Sequence, residues 1–325
     1  MMEQELQRLK ENVLKNGGIT KREAQELIRT DLQELTMAAN EIRESFCGTG
    51  FDICTIINAK SGRCTEDCKY CAQSSFYPTE LESYPLLESR EIVDQAKYND
   101  QRGVLRFSLV TSGKKLNAGE VAQACESIRR VKKETGMEVC VSMGLLEEKD
   151  FLELKKAGVT RAHNNLETSA DNFSNVCTTH SFEDKIKAIK AAKRAGLSVC
   201  SGGIMGLGET MGDRIDLAFS LKELGIKSVP INMLNPIPGT PYEHNQKLSS
   251  DDMQRIVAIF RFILPDASIR LAGGRGLLSD KGRACFCAGA NAAISGDMLT
   301  TAGITIETDM QMLNELGYEP RLWNE

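Results

Sequence analysis

No apolar run in this chain reaches the roughly 20 residues that a membrane-spanning helix needs. A basic patch is missing as well. The 40 Lys and Arg are dispersed among 45 Asp and Glu, for a net charge of −5. Phosphate neutralisation normally shows as clustered Lys and Arg, so nucleic acid is not the expected substrate. Met1 to Lys15 is charged throughout, unlike a signal peptide, and a cytoplasmic location is expected. No internal repeat or low-complexity segment is present. Proline is scarce, and four of the eight (Pro230, Pro236, Pro238 and Pro241) crowd around one strand and its exit, which is expected to be stiff.

What the chain does have is cysteine, 11 in 325 residues. Without a secretory signal, that number points to metal or thiol chemistry rather than disulfides. Cys64, Cys68 and Cys71 stand at C-x3-C-x2-C directly after the apolar run Phe51 to Ile57. A loop of this kind can wrap three thiolates around three corners of a cubane cluster and leave the fourth iron open to a small molecule. A structural zinc knuckle is the competing reading, but no fourth Cys or His follows at finger-like spacing. Cys125 lies in a helical pattern, and it reads as packing, as do Cys47, Cys54 and Cys177.

The remaining pattern is an alternation. Apolar, β-branched runs fall near 51–57, 104–110, 138–143, 161–166, 197–205, 228–234, 268–272 and 284–294. Amphipathic segments at 118–134, 147–157, 182–195, 213–224 and 250–263 separate most of them. Gly136, Gly158, Gly196 and Gly225 each follow such a segment, where a left-handed residue is expected to end the helix. Upstream, residues 2–16, a short helix opened by the Thr20/Glu23 capping box, and 31–46 read as helices. Eight β units over about 250 residues match a (β/α)8 barrel, with a doubly wound open sheet as the alternative on pattern alone. The expected divisions are N-terminal helices at 1–48, a barrel at 49–300 and a C-terminal extension at 301–325.

The cysteine loop, with aromatic Tyr70 before its third cysteine, resembles the signature of the radical S-adenosylmethionine (SAM) enzymes. The wider string from Cys54 through Asn58-Ala59-Lys60-Ser61-Gly62-Arg63-Cys64 to Cys71-Ala72-Gln73-Ser74 is similar to that of the biotin synthases. This resemblance favours the full (β/α)8 barrel and implies a 4Fe-4S cluster on Cys64, Cys68 and Cys71 that binds SAM. The activity it implies is sulfur insertion converting dethiobiotin to biotin, fed by flavodoxin or ferredoxin, in a homodimer. A related barrel enzyme without sulfur insertion, and a non-catalytic iron–sulfur protein, are the alternatives.

Active sites of such barrels lie at the C-terminal ends of the strands. By resemblance Thr111 and Ser112, after the second strand, hold the methionyl amino group of SAM. Asn165 and Glu167 share one face of the fourth strand by alternation. The resemblance gives Glu167 the ribose and puts Asn165 between SAM and the second substrate. Biotin synthases often read Asn-His-Asn-Leu-Asp where this chain reads His163-Asn164-Asn165-Leu166-Glu167, and arginines where it has Thr178-Thr179-His180 and Lys185. The run Gly202 to Glu209 is not a Rossmann fingerprint, since its third glycine would be Met211. It fits G-x-I-x-G-x-x-E, which in the radical SAM enzymes packs Ile204 and backbone against adenine. Asn232 matches a residue that binds the ureido ring, whose donors and acceptor suit an amide.

Alternation turns Arg270 and Ala272 inward, and a buried arginine needs an anionic partner. In the resembling enzymes this arginine and three cysteines ligate an auxiliary iron–sulfur cluster. Cys140 and Cys200 match two of those cysteines, but the third position is Ser108, and serine is a poor ligand to cluster iron. Cys285 and Cys287, i and i+2 on the expected eighth strand, point the same way if that strand forms. They complete an expected set of four inward thiols, sufficient for a four-iron auxiliary cluster with Arg270 as ligand or neighbouring cation. Plain core packing of all four is the alternative.

Overall fold

The computed structural model describes residues 3–299, 301 and 303–322. Strands form where β-branched and aliphatic residues alternate with small or polar ones: β1 (Gly50–Lys60), β2 (Arg106–Thr111), β3 (Glu138–Ser142), β4 (Val159–His163), β5 (Ser198–Cys200), β6 (Gly203–Met205), β7 (Ser228–Met233), β8 (Ser268–Leu271) and β9 (Ala292–Ser295). All pair in parallel in chain order, with β5 and β6 together forming the fifth stave beside β7. β9 pairs with β1, Asp52 opposite Ala292, and closes an eight-stave barrel. Period-2 alternation then sorts the side chains. Phe107, Leu109, Val139, Val141, Ile269 and Leu271 face outward into one continuous apolar core beneath the helices. Arg106, Ser108, Cys140, Ser142, Arg270 and Ala272 line the lumen.

The outer ring is α4 (Ser89–Asp100), α5 (Ala118–Glu134), α6 (Glu148–Ala157), α7 (Ala170–Val176), α8 (Phe182–Arg194), α9 (Met211–Glu223) and α10 (Ser250–Ile263). Reciprocal capping boxes at Asn117/Glu120, Ser181/Asp184, Thr210/Asp213 and Ser249/Asp252 fix where α5, α8, α9 and α10 begin. Helices α1 (Glu3–Asn16), α2 (Lys21–Glu26) and α3 (Leu32–Cys47) precede the barrel and pack on the ring, α3 against α10. After the barrel come a helix at Ile306–Glu315 and a two-residue strand, Glu319–Pro320, that pairs with the start of β1.

The expected eighth strand at 284–294 is corrected here. Arg283–Cys287 is a short helix, and the strand runs only from Ala292 to Ser295. Successive positions i and i+2 on a helix diverge by about 200°. Cys285 is accordingly sealed in the core, while Cys287 is exposed.

Candidate active site

Strand ends and lumen enclose one cavity of about 390 Å3. Its mouth is built by the cysteine loop. Ser61 closes an antiparallel bridge with Tyr84, and Gly62 and Arg63 both adopt left-handed backbone (φ 72° and 52°), turning the chain inward just before Cys64. Gln73 Oε1 accepts from Gly62 N (3.0 Å), and Ser75 N donates to Cys64 O (2.8 Å), so the loop is tied across its base. Cys64, Tyr70 and Cys71 face the cavity. Burial pushes the Cys71 thiol up to about 11, so loading metal there must expel a proton. The sulfurs of Cys64, Cys68 and Cys71 do not gather within 4.8 Å of one another. The three are therefore not gathered into the shell of one ion.

Above the lumen the polar groups are held by backbone. Ser112 Oγ donates to Gly62 O (2.7 Å), buttressing the loop, while the buried Thr111 Oγ1 finds no partner. Asn165 Oδ1 accepts from Gly202 N (3.0 Å). Asn232 bridges two strand ends, donating to Gly203 O (3.0 Å) and accepting from Gly273 N (2.9 Å). Each amide keeps capacity for a ligand. Glu167 sits just past β4 with φ 71°, its Oε2 buried and unpartnered, and Lys185 Nζ 3.9 Å from its Oε1. Burial and the Glu167 carboxylate push the neighbouring Tyr70 phenol well above its ordinary value. Ile204 pairs opposite Asn232 in the register and lines the same wall. Glu167 and Thr111, whose buried Oε2 and Oγ1 have no partner, both line the cavity, as a site for a nucleoside bearing hydroxyls and an amino group would require.

Deeper in the barrel lie Cys54, Cys140, Cys200, His163, Arg106, Arg161 and Arg270. Arg270 pairs with Asp52 (Nη2–Oδ2 3.0 Å) and donates through Nη1 to Asp52 O (2.8 Å) and Cys54 Sγ (3.2 Å). Arg161 reaches the same carboxylate at 3.4 Å. Burial opposes ionisation of Asp52, but the charges of Arg270, Arg161 and Arg106 outweigh it and hold the carboxyl below its ordinary range. At Cys200 burial is likewise outweighed, by the His163 hydrogen bond and the guanidiniums, which bring the thiol down to about 6. Cys140 goes the other way, to about 12, because burial and the nearby Cys200 both disfavour its anion. Three buried guanidiniums and the Asp52 carboxylate thus stand beside three thiols. Such a site fits an anionic, thiolate-held group.

Cys285 and Cys287 do not line this cavity. The third lumenal thiol is Cys54, here read as packing from sequence. Its signal was available in strand alternation, which places Cys54 and Ile56 on one face of β1. His163 was likewise passed over, although it pairs opposite Cys200 in the register.

The comparisons with known proteins agree with this geometry. A model of the radical SAM superfamily matches residues 59–221, and a model of the biotin and thiamin synthesis associated domain matches 230–319. Biotin synthase of Brachyspira hyodysenteriae is 56% identical over 317 residues, covering 98% of this chain and 95% of that one. Biotin synthase 2 of Corynebacterium diphtheriae is 55% identical, covering 96% and 95%. Among solved structures, methylornithine synthase superposes with a TM-score of 0.84 at 20% identity, covering 97% of each chain. The hydrogenase maturase HydG reaches 0.82 at 17% identity, covering 98% of this chain and 76% of that one, and both share the fold. Fold, loop and sequence together place the chain in the biotin synthase family of radical SAM enzymes.

Proposed function

We propose that this protein inserts sulfur into dethiobiotin to form biotin, using SAM. The observation that carries the reading is one continuous cavity joining the three-cysteine loop at its mouth to three thiols and three guanidiniums at its base. Cys64, Cys68 and Cys71 would hold a 4Fe-4S cluster, and Cys54, Cys140 and Cys200 an auxiliary cluster. When bound, these groups supply the electron that cleaves SAM and the sulfur that enters the substrate. The residues do the rest. Glu167 accepts from the ribose, Ile204 packs the adenine, and Thr111, with Ser112 behind it, positions the methionyl end. Asn165 and Asn232 hold the ureido ring between the two ends of the cavity. Tyr70 and the strand-end loops exclude solvent from the reacting carbons.

Three thiolates leave one corner of a cubane open, so four irons are favoured over two at the auxiliary site, and Arg270 acts as a neighbouring cation already committed to Asp52. An external donor such as flavodoxin or ferredoxin, a cytoplasmic location and a homodimer belong to the same family-based reading, as does the division into N-terminal helices, barrel and C-terminal extension. The test is anaerobic incubation of the reconstituted chain with dethiobiotin, SAM and a low-potential reductant. Biotin with 5′-deoxyadenosine is expected. SAM cleavage without biotin points instead to a related barrel enzyme that inserts no sulfur.

A further inference from the structure

Cys177 ends α7, and His180 follows just before Ser181, the cap of α8. Neither lines the barrel cavity, nor does Cys68, the middle cysteine of the loop. These three side chains meet on the loop's other side. Cys68 Sγ is 3.7 Å from Cys177 Sγ, Cys177 Sγ is 3.3 Å from His180 Nδ1, and all three ligand atoms lie within 4.8 Å of one another. A zinc ion bonds thiolate at about 2.3 Å and imidazole at about 2.0–2.1 Å, so tetrahedral angles set sulfur–sulfur edges near ~3.8 Å and sulfur–nitrogen edges near ~3.6 Å. The Cys68–Cys177 and Cys177–His180 edges come within a few tenths of an ångström of that shell, and the third edge is no longer than 4.8 Å.

A fourth donor is close by, although neither neighbouring carboxylate lies within 4.8 Å of all three ligand atoms and one must swing in to complete the shell. Glu66 Oε2 is 2.7 Å from the same His180 nitrogen, with Lys114 Nζ 3.6 Å from that oxygen, and Asp67 Oδ1 is 3.2 Å from Cys177 Sγ. Carboxylate oxygen is an ordinary zinc ligand. His180 Nε2 is buried with no partner, so the ring is incompletely satisfied as it stands. The loop sulfurs Cys64, Cys68 and Cys71 do not all lie within 4.8 Å of one another, whereas Cys68, Cys177 and His180 converge as a single ion requires.

We propose that Cys68, Cys177 and His180, completed by a carboxylate of Glu66 or Asp67, form a mononuclear site for a thiophilic divalent cation such as Zn2+ or Fe2+ in the cluster-free chain. Given the reading above that Cys68 also holds the SAM-binding cluster, the two occupancies exclude one another. The ion either yields its place as the cluster is built or blocks its building.

Zinc is the probe. The full chain is stripped of iron anaerobically under reductant and titrated with Zn2+ beside Cys177→Ser and His180→Gln. The glutamine keeps a polar group facing Glu66, and circular dichroism checks the fold of each variant. The unaltered chain is expected to bind one zinc more than either variant at the same free concentration, with affinity for that ion reduced by more than about tenfold in both. Substituted Co2+ should show tetrahedral bands with sulfur-to-cobalt charge transfer that lose intensity in Cys177→Ser. Equal zinc uptake by all three folded proteins, or cobalt spectra unchanged by both substitutions, overturns the proposal. Biotin formation by the fully loaded chain is a separate measurement, and its failure would leave this result standing.

Discussion

Asp52 has no exposed surface and faces Arg270 at 3.0 Å and Arg161 at 3.4 Å. Removing one partner of such a buried set leaves charge uncompensated, so Asp52→Asn should cost about 3–5 kcal/mol of stability in the cluster-free chain, measured by denaturant unfolding. The pH dependence has a fixed sign. The carboxyl is held below its ordinary value, so its contribution is complete above that value, roughly pH 4, and is lost as pH falls below it. The variant should lack that acid-side loss. Asn232 lines the cavity, and its amide, held in place by two backbone hydrogen bonds, keeps a donor and a lone pair for the ureido ring, so Asn232→Ala should weaken dethiobiotin binding by about 1–3 kcal/mol while SAM affinity changes much less. Isothermal titration of each ligand reads the two effects, and loss of SAM binding alone would contradict the placement. Residues of the cysteine loop were legible in sequence because their spacing is itself the signal. Cys54 and Cys177 were not, because a single cysteine in an apolar strand or at a helix end looks like packing until its spatial neighbours are known.

Elements were legible where local chemistry decides them. The helix expected at 118–134 forms over those residues, between an Asn117 cap and Thr135. Gly158, Gly196 and Gly225 take left-handed backbone as expected, whereas Gly136 does not, since α5 has already ended on extended Thr135. The segment Arg283–Cys287 was misread for a physical reason: its four apolar residues, Ala284 to Cys287, have no period long enough to separate strand from buried helix. Gly202 carries the element-scale prediction. A Cβ there would stand 1.9 Å from Pro230 O, a backbone atom of β7 that cannot turn aside. Gly202→Ala should therefore push the fifth stave off β7 and cost about 1–3 kcal/mol. A lowered melting temperature together with weakened SAM binding is the expected outcome; an unchanged melting temperature would mean that the wall is more pliant than its packing implies.

At the scale of the whole molecule, barrel closure is what the sequence could only imply. Counting eight β units gives the architecture, but which thiols share the lumen depends on the register of every strand around the ring. Cys54, Cys140 and Cys200 come from β1, β3 and β5, more than forty positions apart in sequence. Iron and sulfide analysis after reconstitution should show about eight irons per chain, about four remaining in Cys54→Ala, and no change in Cys287→Ala. Retention of all the iron in Cys54→Ala would remove that residue from the site. No described helix is long and apolar enough to cross a membrane, and the cavity runs from the cysteine loop at the strand ends to the lumenal cysteines. On the proposed function, substrate, SAM and both clusters would share one chamber. The most direct measurement is isotopic: the chain is reconstituted with 34S-sulfide, freed of excess label and given unlabelled dethiobiotin, SAM and reductant anaerobically. Biotin two mass units heavier is the predicted product, its sulfur drawn from the barrel; unlabelled biotin, or 5′-deoxyadenosine with no biotin at all, would contradict the account.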